Sequence, residues 1–360
     1  MHASSHARTK AAAQPVVDIA GLRRGDEVQT RELRRALLDH GYFYAANVED
    51  LPAEYIASVY DYSRRAHALP ASVKRTYAQR GGTGSYSGPD IGQPELQYEA
   101  DGAKANVCGW DYSRTRFSLG DARTFAEGSD ARYPPEGILS PSFSTVLDEL
   151  YERQDNLARV LMTGFEAALD LPERTLLGMF EGEGSEGDYG TIRLLMYPGR
   201  QGGGAADDDD KGPGIGAHTD FECFTLMHQS ARGLQLMPRR GDGHGDWVDA
   251  PVVPADFVVI IGDMLERLTN GTLLATPHRV LNTPHPRWSI IRFNAFAPGT
   301  VIRPLEQFVS EERPARYSPA VMREHMETTM KNLEAGLGSW DVDARRSISA
   351  NYRYRCLDSD

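Results

Sequence analysis

The run Ala217-His218-Thr219-Asp220-Phe221 sets an imidazole and a carboxylate two residues apart. In a strand, residues i and i+2 face the same side. His218 and Asp220 are therefore expected to aim at one point from one strand. A third donor must return from elsewhere, and His278, in Thr276-Pro277-His278-Arg279-Val280, stands 58 residues after Asp220. That is enough chain to run through several strands and come back beside the first. Two histidines and one carboxylate on one face of an octahedral ion leave three positions open, which suits a non-haem Fe(II) centre that binds a co-substrate and O2 together. The same donors with a water also describe a catalytic zinc site, so zinc is the rival metal. His228, His244 and His285 compete for the third position. His244 sits in a Gly/Asp turn and His285 between two prolines, so both read as loop residues. His228 shares an apparent strand with Phe224 and Leu226, too near His218 in sequence to close the site from an opposite sheet.

Arg287-Trp288-Ser289 repeats the two-residue spacing nine residues after His278. A guanidinium fork with a hydroxyl beside it is a clamp for a carboxylate, through charge-assisted hydrogen bonds. The competing reading is a structural ion pair with one of the 51 acidic residues. Arg193 stands four residues before Tyr197, so alternation puts both on one face. Arg193 is expected either to line the pocket and meet an anionic substrate group or to sit in a buried structural ion pair. Phe221, Glu222, Phe293 and the loop 80–110 are further pocket candidates.

These residues need strands to hold them, and the pattern supplies a series. Ile192–Tyr197, Phe224–His228, Leu234–Met237, Phe257–Ile261 and Ile290–Ala297 are short strand-like runs separated by turn signals, with Asn270-Gly271 reading as a hairpin turn. Such a succession predicts a sandwich or jelly roll. Ahead of it, Pro15–Ile19 and Tyr42–Tyr44 read as strands, and Thr30–His40, Ala53–Leu69, Ser144–Leu169 and Glu173–Phe180 as helices; a further amphipathic helix covers 319–335. Residues 80–135 lack periodicity and read as loops and short strands. The fold class expected is mainly β with helical additions. The organisation expected is a disordered tail over 1–14, an N-terminal α/β region over 15–135, helical support and a catalytic core over 136–305, and a helical extension over 306–360.

Composition narrows the function. A net charge of −12 excludes the basic surface of a nucleic-acid binder. Three cysteines at long spacings, Cys108, Cys223 and Cys356, make neither a disulfide framework nor a thiolate zinc site and fit a reducing cytoplasm. Residues 1–14 lack the apolar core of a secretory signal. The longest apolar run, Val252–Leu265, is broken by Pro254, Asp256 and Asp263, so it cannot span a bilayer. The Asp207–Lys211 run reads as a solvated loop, because it lacks the alternating spacing and distal Glu of a calcium loop. The oligomeric state is not readable.

Taken in order, His218-Thr219-Asp220, Gly233-Leu234-Gln235, Gly262-Asp263 with Thr269-Asn270-Gly271, His278-Arg279-Val280 and Arg287-x-Ser289 resemble the isopenicillin N synthase-like branch of the 2-oxoglutarate/Fe(II)-dependent dioxygenases. The likeness runs from about Pro15 to Leu305, and Pro15–Ile19, His40–Phe43 and Leu69-Pro70 followed by Lys74 resemble that family's N-terminal part. The resemblance implies a double-stranded β-helix core, iron held by His218, Asp220 and His278, and 2-oxoglutarate held at its distal carboxylate by Arg287 and Ser289. Tyr197 in Met196-Tyr197-Pro198 matches a family tyrosine at the same co-substrate. The chain departs from the pattern two residues earlier, where Leu195 stands in place of a frequent Asn. The implied reaction consumes O2, releases succinate and CO2, and hydroxylates, desaturates or cyclises a small-molecule metabolite of natural-product or amino-acid origin. Halogenating relatives replace the metal carboxylate with a small residue, and Asp220 is present. An oxidase of the same fold that needs no 2-oxoglutarate, a zinc hydrolase and a non-catalytic jelly-roll binding protein are the competing readings.

Overall fold

The computed structural model describes residues 14–79, 84–93, 106–114, 132–182, 189–199, 213–241 and 243–352. The Asp207–Lys211 run, Cys356 and residues 1–13 of the expected tail lie outside them. Among the described residues no helix is long and apolar enough to cross a membrane.

The strands up to residue 294 are β1 (Val16–Asp18), β2 (Tyr42–Ala46), β3 (Tyr86–Ser87), β4 (Cys108–Tyr112), β5 (Thr191–Tyr197), β6 (Pro213–His218), β7 (Phe224–Gln229), β8 (Leu234–Leu236), β9 (Arg239–Arg240), β10 (Gly243–His244), β11 (Val248–Asp249), β12 (Phe257–Ile261), β13 (His278–Leu281) and β14 (Arg287–Asn294). Eight of them form one sheet in the order β1-β2-β12-β7-β14-β5-β4-β3, and four form a second in the order β11-β8-β13-β6. The helices are α1 (Ile19–Arg23), α2 (Glu27–Asp39), α3 (Ala53–His67), α4 (Ala71–Lys74), α5 (Phe143–Ala168), α6 (Thr175–Glu181), α7 (Asp263–Leu268) and α8 (Met322–Glu334). This is the mainly β jelly roll with helical additions that the sequence predicts. β4, inside the stretch read as loops, is a full member of the large sheet, paired with β5 along its length.

Period-two alternation sorts the large sheet into two faces. On one, Ile192, Leu194, Leu226, Phe257, Val259 and Ile290 join the core that also takes Leu150, Leu157, Leu161 and Phe165 of α5. Each such fully buried side chain contributes about 1.5–3 kcal/mol of transfer free energy. On the other, Leu195, Tyr197, Met227, Val258, Ile260 and Ile291 meet Ile215, Leu234, Leu236 and Val280 of the small sheet. The second face is where a ligand can sit between sheets, and the first is the support that keeps it rigid. α5 starts at Ser142, whose hydroxyl accepts from the Thr145 N–H and so satisfies one of the unpaired donors of the first turn.

Asn270-Gly271 is not a hairpin. It ends α7, a helix the pattern did not show, with φ of 50° and 74°. Left-handed residues that turn a hairpin also terminate a helix, so the dipeptide alone does not discriminate. The Asn270 amide then holds the chain beyond, donating to the carbonyls of Phe308 and Pro314.

Two expectations come from this packing. Gly262 joins β12 to α7, and a Cβ there would lie 2.4 Å from the Glu222 carbonyl oxygen and 3.1 Å from that of Asp220. Gly262→Ala should therefore lower unfolding free energy by about 1–3 kcal/mol in chemical denaturation. The second concerns pH. Burial pushes the His67 imidazole down to about 4 and that of His325 down to about 3. Between the ordinary value of 6.5 and those values, the unfolded chain binds protons that the folded chain refuses. Stability should be full above pH ~6.5 and fall as pH drops toward ~4, by at most about 1.4 kcal/mol per pH unit for each group. Urea unfolding against pH should give a shallower fall in His325→Gln.

Candidate metal centre

β6 and β13 are antiparallel neighbours in a register that sets His218 opposite His278. The two rings lie 4.1 Å apart between centroids, at 52°. Each Nδ1 is bonded to the carbonyl two residues earlier, His218 to Gly216 at 2.9 Å and His278 to Thr276 at 3.1 Å. A carbonyl only accepts, so both rings carry the proton on Nδ1 and present a bare Nε2 lone pair. Burial, then the neighbouring His278, holds the His218 imidazole well below its ordinary value, against the Gly216 hydrogen bond. The ring is neutral, as a metal ligand must be.

Asp220 completes the cluster, though not from the strand. β6 ends at His218, and Asp220 stands two residues beyond, where the chain bends towards β7. The strand-alternation expectation therefore fails for Asp220, while the convergence it was meant to explain holds. Other contacts place this carboxylate. Its backbone oxygen accepts from the Asp263 N–H at the start of α7 at 2.9 Å, and its Oδ2 accepts from the Thr225 hydroxyl on β7. Nε2 of His218 lies 3.6 Å from Oδ1 and Nε2 of His278 lies 3.6 Å from Oδ2, beyond hydrogen-bond length. The donors thus face a shared space rather than each other. One ligand atom from each residue falls within 4.8 Å of the others, and all three residues are buried. Two imidazoles and a carboxylate, oriented from behind by carbonyls and a hydroxyl, fit a divalent first-row cation.

Residue 219, between two members of the cluster, is gripped by the C-terminal part of the chain. Ser339 accepts from the Thr219 N–H and donates to its carbonyl, at 3.1 and 2.8 Å. The Thr219 hydroxyl reaches Ser347 at 3.1 Å, and Ser347 and Ser349 both donate to the Asp263 carboxylate. Burial raises the Asp263 pKa to about 8 against these bonds.

Arg287 and Ser289 are both on β14, facing the small sheet as the spacing predicts, with Arg287 opposite Tyr197 on β5. The guanidinium lies 4.8 Å from the Tyr197 ring centroid. Arg287 is fully buried, and its bonds go to the Ala231 carbonyl and the Gln229 amide oxygen, both at 3.2 Å. Among the described residues it meets no carboxylate, and its Nη1 and the Ser289 Oγ are buried without hydrogen-bond partners. A buried cation without a counter-ion is costly; this one is complete only with an anion. Burial raises the Tyr197 hydroxyl, and Arg287 and Ser289 act against that rise. The group fits the carboxylate of a small keto acid.

Arg193, Leu195, Tyr197, Met227, Ile291 and Phe293 line one narrow cavity with the three cluster residues. Arg193 reaches the site, but its charge is met bidentately by Asp111 on β4, at 2.7 and 2.8 Å. Phe221 and Glu222 do not line the cavity. The bend after β6 turns Phe221 towards the helix-side core and its carbonyl towards His325, and buries Glu222, whose carboxyl is held well above its ordinary range by burial and Asp220. His228 is no rival ligand; its ring nitrogens are taken by the Tyr60 hydroxyl and the Pro254 carbonyl. Sequence reasoning missed Asp111 and Thr225. Asp111 lies in a stretch without periodicity, and Thr225 differs in no local way from any strand threonine.

Comparison with known proteins accords with this geometry. The family model for the 2OG-Fe(II) oxygenase superfamily matches residues 191–295, and that for the non-haem dioxygenase in morphine synthesis N-terminal region matches residues 15–100. Homoarginine-6-hydroxylase 2-ODD-C23 of Glycine max is 28% identical over 298 residues, covering 82% of this chain and 86% of the relative. Gibberellin 3-beta-dioxygenase 1 of Oryza sativa subsp. japonica is 29% identical over 317 residues, covering 87% and 76%. The solved structure of JOX2 in complex with 2OG, Fe and JA superposes with a TM-score of 0.68 at 22% identity, over 88% of this chain and 84% of that one, which speaks for the fold. With both family models matched in order along one jelly roll, this chain belongs to the 2-oxoglutarate/Fe(II)-dependent dioxygenase family and is a non-haem iron enzyme with 2-oxoglutarate as co-substrate.

Proposed function

We propose that His218, Asp220 and His278 hold the iron, that Arg287, Ser289 and Tyr197 hold the distal carboxylate of 2-oxoglutarate, and that the enzyme hydroxylates a small-molecule metabolite. The observation that carries the reading is a pair of buried demands in one inter-sheet space. Two imidazole nitrogens and a carboxylate converge without bonding one another, and Tyr197, which lines the same cavity, carries on its ring a buried guanidinium that no described carboxylate neutralises. The relatives named for homoarginine and gibberellin oxidation support a free metabolite as substrate. Neutral Cys108 and Cys223, both buried and unpaired, and a net charge of −12 support a cytoplasmic enzyme that does not bind nucleic acid.

Iron with 2-oxoglutarate and O2, when bound, supplies an oxidant for an unactivated C–H bond and leaves succinate and CO2. The chain's own residues set the conditions. Carbonyls behind both imidazoles keep their protons on Nδ1, so neither ring can turn an N–H towards the metal. The Thr225 hydroxyl takes one Oδ2 lone pair of Asp220 and fixes the carboxylate plane. Arg287 orients the co-substrate by charge in a site where water cannot screen it. Leu195, Met227, Ile291 and Phe293 make an apolar wall, which excludes water from the reacting space and favours an apolar stretch of substrate there. The Arg193–Asp111 pair presents a polar edge to the same cavity.

Anaerobic titration of the Fe(II)-loaded protein with 2-oxoglutarate should develop a visible iron-to-keto-acid absorption band. His278→Ala should abolish it. Arg287→Met should retain iron and weaken 2-oxoglutarate binding by about a hundredfold, the scale of a lost charge-assisted pair. Unchanged keto-acid affinity in Arg287→Met would overturn the clamp, and tight iron binding in His278→Ala would overturn the ligand set.

A further inference from the structure

A second cavity, of about 800 Å3, lies outside the inter-sheet space and shares no lining residue with it. Its walls come from the C-terminal end of α2, the β9 strand, the turn after α7 and the 313–316 segment. Among the described residues four arginines line it, Arg239, Arg240, Arg313 and Arg316, against one carboxylate, Asp39. Those described side chains carry three positive charges in excess, on a chain whose net charge is −12.

Several surface arginines are spent on carboxylates: Arg23, Arg34, Arg64, Arg114, Arg159 and Arg174 each meet one. Among the described residues, none of the four in the cavity does. Two of them are instead pinned by backbone. Arg239 donates from Nε to the Gly241 carbonyl at 2.9 Å and from Nη1 to that of Thr272. Arg313 donates from Nη2 to the Asn270 carbonyl at 3.0 Å. Arg316 is anchored through its own N–H to the Asn270 side chain at 2.8 Å, and its guanidinium lies against Gly271, where a Cβ would meet Nη1. Glu266, buried behind the turn, feels Arg316 electrostatically but bonds Tyr317 and Ala275. The Arg239 and Arg313 forks are thus held in place before any ligand arrives, which lowers the ordering free energy of binding.

We propose that this cavity is a second, separate ligand site, for a small phosphate-bearing molecule with two or more negative charges. Guanidinium forks match phosphate oxygens bidentately, and several converging on one concavity exceed what a single carboxylate needs. The size of the ligand follows from the whole-molecule field. An extended polyanion, whether nucleic acid or an anionic bilayer, is repelled by the acidic surface it must cover. A small anion inside the cavity sees chiefly the arginines, since charges more than about 8 Å away are screened at physiological salt.

The test uses the full chain loaded with Fe(II) and kept saturated with 2-oxoglutarate, so that Arg287 is occupied, with adenosine diphosphate as probe in anaerobic calorimetry. One saturable site is expected, weakening steeply with added salt. Arg240→Ala with Arg316→Ala should weaken it about tenfold or more, the loss of two charge-assisted contacts, and leave 2-oxoglutarate binding unchanged. Arg239 and Arg313 stay intact, so the backbone they hold is undisturbed; an unchanged melting temperature checks this. Inorganic pyrophosphate binding as tightly as the nucleotide assigns the phosphate oxygens as the recognised group. Weaker pyrophosphate binding adds a contact to the nucleoside and keeps the site. Absence of saturable binding of both probes at millimolar concentration, or equal affinity in the double variant, overturns the proposal.

Discussion

The pairing of β6 with β13, in the register that places His218 opposite His278, is the constraint on which the centre depends. A shift of one residue would turn one imidazole to the other face of the small sheet. The register is held by what lies on each side. Ile215 and Val280 bury into the inter-sheet core, and β13 is also tied to β8 through Leu234 and Leu236. The large sheet supplies the opposite wall, and α5 backs that wall with a largely apolar face. The rings therefore meet in a register that buries the apolar residues of both layers, across a ladder that shifts register between His278 and Val280.

Charge handling divides along the same layers. Arg292 and Arg287 sit on one strand, five residues apart, and so point to opposite faces. Arg292, towards α5, is fully matched: Asp155 at 2.9 Å, the Tyr151 carbonyl, the Asn294 side chain, and the Tyr151 ring at 3.9 Å. Arg193, on the inner face of β5, is matched by Asp111 directly across the ladder. Among the described residues, Arg287 alone of these three is left without an acid. Buried cations are normally paired because an unpaired one destabilises the fold. The exception is what supports the proposal that an anionic co-substrate supplies the missing charge.

The C-terminal part of the chain is built into the centre rather than appended to it. Ser339, Ser347 and Ser349 link Thr219 to Asp263, and the Arg267 guanidinium on α7 draws in the carbonyls of Ser318, Ala350 and Tyr352. These contacts replace strand pairing as the device that fixes Asp220, which has left its strand. Chain segments more than a hundred residues apart thereby set the position of one carboxylate.

The spacing of His218, Asp220, His278, Arg287 and Ser289, read in order, was enough to name the family and to single out the residues proposed as metal donors and clamp, because each rests on local periodicity or on a series of short motifs. Most elements followed for the same reason: α2, α3, α5, α6 and α8 carry an apolar stripe, and β5, β7, β12 and β14 are dense in branched and aromatic residues. Asn270-Gly271 shows where local signals stop, since left-handed backbone serves a hairpin and a helix end alike. Asp111, Thr225 and Ser339 show the rest. Each matters through a partner 82, 5 or 120 residues away, and nothing in its own neighbourhood distinguishes it. Whether Arg193 meets Asp111 or a ligand, and whether Asp220 is held by a strand or by serines from the far end of the chain, was decided only when the sheets closed and burial set which polar groups could meet.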